Sequence, residues 1–119
     1  MTTCAAAVLQ LRDALAAAYP ARVAELSNTT GRTTCVVAPT GGDWETGTMC
    51  DPPPQEARAD VAVVAAATGE QGVIDLLGHL EPVAALIRAA GWEPADWSAD
   101  EVGDRPALRI TATTTTDGN

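Results

Sequence analysis

The stretch from residue 57 to residue 90 constrains this chain most. It opens with Ala57-Arg58-Ala59-Asp60, where small and charged residues alternate, and from Val61 to Ala67 it is apolar throughout. A strand of that kind enters as an alternating edge and is covered on both faces by its end. The polar turn Thr68-Gly69-Glu70-Gln71-Gly72 follows. Val73, Leu76, Leu77, Leu80, Val83, Ala84 and Ile87 then recur at three- and four-residue steps, the stripe of a buried helix face. The turn is short enough for the helix to fold straight back onto the sheet. The rest of the chain is expected to pack around this strand–helix pair.

The remaining elements follow from local signals. Thr2 or Thr3 is a good N-cap for a first helix running from about Cys4 to Ala18. Its apolar face is Val8, Leu11, Leu15 and Ala18, with Leu9 and Ala5 beside it, and Pro20 ends it. Residues 21–26 read equally as a short strand or a helical turn. Thr33–Ala38 is rich in β-branched residues and reads as a strand. Residues 39–56 form the least regular segment, a long loop that holds a short strand at most and closes with the triple proline 52–54.

The second helix is expected from about Glu70 to Ala90, with Gly91 as its left-handed C-terminal residue. Pro82 falls inside it and should kink it or split it in two. Residues 92–104 are acidic, with a short strand near Ser98–Val102. The last strand is Pro106–Thr114, where Leu108, Ile110 and Ala112 alternate with Arg109, Thr111 and Thr113. The reading is a single α+β domain, a small and mainly antiparallel sheet packed against two helices.

Charge narrows the function classes. The formal net charge is −9, and all seven basic residues are arginine. That balance argues against gripping nucleic acid and against an anionic membrane surface. No apolar run reaches the length of a membrane span, and the first residues lack the basic start of a secretory signal. The three cysteines, Cys4, Cys35 and Cys50, have no paired spacing and read as reduced thiols. There is no Phe, so the core must be built from Ala, Val, Leu and Ile, and neighbouring subunits are expected to add to its stability.

Catalytic signals are weak. His79 is the only histidine and reads as a partly exposed helical side chain. Cys50 lacks a recognisable Cys–His context. Asp43, Glu45 and Asp51, and likewise Asp96, Asp100, Glu101 and Asp104, lack the calcium-loop pattern and read as solvated acidic loops. No phosphate-binding glycine motif precedes a helix. The tryptophans carry more information. Trp92 and Trp97 are read as lids on the core, and Trp44, between Asp43 and Glu45, as an exposed interface anchor.

The order of elements resembles the tail terminator proteins of long-tailed bacteriophages, especially those infecting actinobacteria. Leu11-Arg12-Asp13-Ala14-Leu15, Cys35-Val36-Val37-Ala38-Pro39 and the strand 59–67 carry the resemblance. It continues through the helix from Gly72-Val73-Ile74-Asp75-Leu76-Leu77 to Gly91 and the closing strand 106–113, so it covers nearly the whole chain. The triple proline and Pro82 have no counterpart in that pattern.

The resemblance implies a non-catalytic virion subunit without cofactor or metal. It would be assembled in the host cytoplasm and reside at the tail–neck junction. Six copies would form a ring that caps the tail tube, contacts the tail tube protein and the neck or connector proteins, and lets DNA pass. DNA would be a passenger that does not stick, which an excess of carboxylates over arginine on the lumen wall would secure. Candidate interface residues on this reading are Trp44, Glu45, Met49, Pro52, Pro53 and Arg109. The alternatives are another neck component, such as a head–tail connector or stopper, a cytosolic α+β binding module, or a small enzyme using Cys50 or His79.

Overall fold

The structure, a computed structural model, describes residues 4–23, 33–44, 55–66, 68–102 and 105–116. In chain order the elements are α1 (Cys4–Ala16), β1 (Ala21–Val23), β2 (Thr34–Trp44), β3 (Gln55–Val64), α2 (Gly69–Ala89), β4 (Glu93–Val102) and β5 (Arg105–Thr116). The strands form one sheet in the order β1-β2-β3-β5-β4. Every pairing is antiparallel except the short β1, which runs parallel to β2. The fold is therefore α+β, with the mainly antiparallel sheet and two helices that the sequence predicts.

The apolar run takes the central position it demands. Val61 through Ala65 are each exposed by 1% or less. Ala59, Val61 and Val63 point to the helices and meet Leu11 and Leu15 of α1 and Leu76, Val83 and Ile87 of α2 in one core cluster. Cys35 and Val37 of β2 and Leu108, Ile110 and Ala112 of β5 complete that face. On the opposite face Val64 and Ala107 are buried together. Small and β-branched residues predominate, and among the described residues Trp92 is the one aromatic side chain buried in this cluster.

The end of α2 shows how a single glycine organises this core. Gly91 adopts φ +87°, the left-handed region that favours glycine. The chain then folds back, and the Trp92 N–H donates to the Ile87 carbonyl at 3.1 Å. Trp92 is thereby turned inward against Ile87, and its indole N–H donates to the Ala7 carbonyl at 3.0 Å. One C-cap thus ties α2 to α1.

Several local expectations are corrected. Helix α1 stops at Ala16, and Ala18 is exposed instead of facing the core. Residues 21–23 settle as a strand. The segment after Pro39 is not a loop from its start: β2 runs on to Trp44 and β3 resumes at Gln55, with Trp44 paired to Gln55. Glu45, Met49, Pro52 and Pro53 lie outside the described residues, as does Cys50. Helix α2 is continuous through Pro82. Both Pro82 and Gly78 are exposed, so the carbonyl that loses its N–H partner faces water. Finally, β4 spans ten residues and not a short piece near its end.

Gly91, just past the end of α2, and Gly78, inside it, should respond oppositely to substitution. Gly91→Ala forces a side chain into the left-handed region and is expected to cost about 1–2 kcal/mol. Gly78 is helical and exposed, and an added Cβ there would meet no atom within 4 Å. Gly78→Ala should therefore stabilise by about 0.5–1 kcal/mol. Urea unfolding of the two variants checks both signs.

Candidate interaction surfaces

The apolar stripe of α2 is buried along only part of its length. Leu76, Val83, Ala84 and Ile87 are covered, but Val73 and Leu77 are about half exposed, and so is Ile74 beside them. The reason is angular. At about 100° per residue, Val83, Ala84 and Ile87 span an arc of roughly 100°, whereas Val73, Ile74, Leu76, Leu77 and Leu80 span roughly 160°. One sheet face covers the narrower arc and leaves part of the wider one in water.

The uncovered part faces β4. Trp97 and Ala99 of β4 lie on the helix side of the sheet, opposite Ile110 and Leu108 of β5. Together with Val73, Leu76 and Leu77 they line an open groove of about 600 Å³, with Asp100 and Glu101 also on its wall. A smaller hollow of about 170 Å³ continues along α2 past Leu80 and Ala84 to Arg88. Trp97 lines both, so its indole stands as a ridge between them. It is 48% exposed, and its ring N–H has no partner among the described residues. The expected pair of lids is thus divided: Trp92 closes the core and Trp97 does not.

The opposite edge of the sheet has its own apolar patch. Cys4, Ala5, Val8, Leu9, Val23 and Pro39 line a cleft of about 380 Å³ between α1, β1 and β2. Leu9 and Val23 are among the exposed large apolar side chains.

On the face of the sheet away from the helices, beside the buried Val64 and Ala107, a polar network ties the strands together. Arg109, in the middle of β5, reaches Asp60 of β3 at 3.7 Å and Asp100 of β4 at 2.6 Å. Thr111 donates to Asp60 at 3.2 Å. The network stitches three strands together, and the buried Arg109 Nε makes no hydrogen bond. The structure therefore places this predicted interface residue in a strand-to-strand ion network. Trp44 ends β2 and pairs with Gln55 at the start of β3, and the other predicted interface positions fall outside the described residues.

Of the two candidates for chemistry, Cys50 lies outside the described residues and His79 pairs with Tyr19. Tyr19 Oη and His79 Nδ1 are 2.8 Å apart, with the two rings edge to face, which joins the α1–β1 turn to α2. Partial burial, and then the nearby Cys35, raise the Tyr19 hydroxyl above its ordinary pKa. Burial pushes the Cys35 thiol up to about 12, so it stays protonated as a core side chain. No grouping of three or more metal-ligating side chains occurs among the described residues. No described helix is long and apolar enough to cross a membrane.

Comparison with protein-family models and with curated proteins found no match to this chain.

Sequence reasoning missed the α2–β4 groove and the α1–β1 cleft as surfaces. The widening of the α2 stripe at Ile74 was the available signal for the first. Neighbouring leucines separate the covered and uncovered halves of that stripe. Leu76→Ala should cost about 2–5 kcal/mol, as a buried truncation does. Leu77→Ala, on the groove wall, should change stability by no more than about 0.5 kcal/mol. Thermal or urea unfolding of the two variants separates them.

Proposed function

We propose that this chain is a structural virion subunit of the tail-terminator type, one that assembles as a ring, caps the tail tube and joins it to the neck. One observation carries the reading. The two opposite edges of a single sheet each expose an apolar patch, one beside β4 and one beside β1. A subunit with two different sticky edges makes head-to-tail contacts, and such contacts close into rings when the rotation allows it. The two-helix α+β fold with a long β2–β3 hairpin agrees with the resemblance read from the sequence.

The acidic balance suits the same role. Of the 23 charged residues, 16 are carboxylates, and a wall of like charge lets DNA slide without adhering. The function proposed is geometric, with no catalysis and no cofactor. Its partners are further copies of itself, six to a ring, the tail tube protein, and the neck or connector proteins. Another neck component, a connector or stopper, shares these features and differs in seating on the portal side. A ligand-binding module is the second reading, and the α2–β4 groove favours it because its volume lies within the range of small-molecule sites.

Negative-stain imaging of the purified chain, alone and mixed with the tail tube protein of the same phage, tests the proposal. Closed rings of about tube diameter, or tube stubs capped at one end, are expected. A chain that stays monomeric while tubes grow unchecked would overturn it.

A further inference from the structure

β4 is the outer strand on its side of the sheet, with β5 as its one neighbour among the described strands. In an antiparallel pair, alternate residues turn their N–H and C=O groups into the ladder, and the residues between them turn theirs outward. A row of outward groups along an edge strand is a template on which a further strand can pair. β4 spans ten residues, long enough for such a template.

The outward donors of β4 are taken by the strand's own side chains. The Trp97 N–H donates to Asp96 Oδ1 at 2.8 Å, and the Glu101 N–H donates to Asp100 Oδ1 at 2.8 Å. An N–H that reaches the side chain before it is not aimed into the β5 ladder. Trp97 and Glu101 are four residues apart with no register shift between them, so their N–H groups leave the same side of the strand, as does that of Ala99. Further back, Pro94 has no N–H, and the ladder shifts register between Pro94 and Asp96. Along residues 97–101 an incoming strand would find carbonyl acceptors but only the Ala99 donor open.

The two caps are held differently. Asp100 divides its oxygens: Oδ1 accepts from the Glu101 N–H, and Oδ2 lies 2.6 Å from Arg109 Nη2. Arg109 is in turn steadied from β3, where Asp60 Oδ2 lies 3.7 Å from its Nη1. Asp96 makes no ion pair among the described residues, so its cap rests on the local backbone alone. We propose that β4 is a self-blocked edge: Asp96 and Asp100 fold back onto its outward N–H groups and keep a further strand from pairing there. Arg109 is the positioning residue that aims one of the two caps. The block acts through hydrogen bonding and not through negative charge alone. It stands whether or not the chain forms a ring.

The test compares two double variants of the full chain that remove the same two charges. Asp96→Asn with Asp100→Asn keeps an acceptor oxygen at each position, and Asp96→Ala with Asp100→Ala keeps none. Both positions are on the surface side of an edge strand, and circular dichroism and urea unfolding check that each variant folds. The first readout is amide hydrogen exchange at residues 97, 99 and 101. The Ala variant should exchange about tenfold faster at 97 and 101 and be unchanged at 99, while the Asn variant should stay near the unsubstituted chain. The second readout is strand-paired assembly, followed by thioflavin T. The Ala variant should assemble at about tenfold lower concentration than the Asn variant. Arg109→Gln should speed exchange at 101 and leave 97 as it was, a selectivity that a general loosening of the sheet would not give.

Equal assembly of the Asn and Ala variants, both above the unsubstituted chain, would show that charge alone guards the edge and overturn the proposal. An Ala variant that exchanges and assembles as the unsubstituted chain does would overturn it as well. Equal acceleration at 97 and 101 in Arg109→Gln would remove the positioning role of Arg109.

Discussion

Five consecutive residues without exposure, Val61 to Ala65, set the terms for everything else in the molecule. A strand carrying such a run must have a neighbour on each side and cover on each face. The neighbours are β2 and β5, both antiparallel over nearly the full length of β3. On one face the cover is α1 and α2. On the other, Val64 packs with Ala107, and the Arg109 ion network lies across the strands beside them. The Trp92 anchor then locks the end of α2 to α1, so the helix layer behaves as one unit over the strand.

That solution serves the centre of the sheet and neglects its margins. The helix layer covers β3 and the facing sides of β2 and β5, while β4 is exposed along most of its length. The wide apolar arc at the start of α2 overhangs this side, and Leu9 and Val23 mark the other. Contiguous exposed apolar patches of this kind commonly mark interaction surfaces. Here Pro94, a bulge and carboxylates block indiscriminate strand pairing at β4, yet the apolar side chains next to them are kept. Guarded backbone combined with open side chains is what a specific side-chain interface requires.

Much of this was legible in the sequence for physical reasons. The alternating-then-apolar pattern of residues 57–67 located the central strand, and the three- and four-residue spacing located α2. Gly91 marked the end of α2 because only a left-handed residue lets the chain turn there. What escaped was set by tertiary context. The acidic residues and Pro94 hid β4, although Asp96-Trp97-Ser98-Ala99-Asp100 alternates correctly for an edge strand. Pro82 suggested a kink or break, but its lost hydrogen bond falls on the water side of α2. Burial of Trp92 and exposure of Trp97 could not be told apart from composition, because the difference comes from the C-cap geometry of one and the edge position of the other. Arg109 offered a charge in an alternating strand, and only the register showed that Asp60 and Asp100 flank it.

The proposed ring function requires that both exposed apolar edges of this sheet be covered by neighbouring copies. A side-chain-resolution reconstruction of any particle the purified chain forms, alone or with tail tube protein, tests this most directly. Cyclic symmetry is expected, with the Trp97 groove and the α1–β1 cleft of every subunit covered by its neighbours. A two-fold dimer, or rings in which the Trp97 face is turned to solvent, would contradict it.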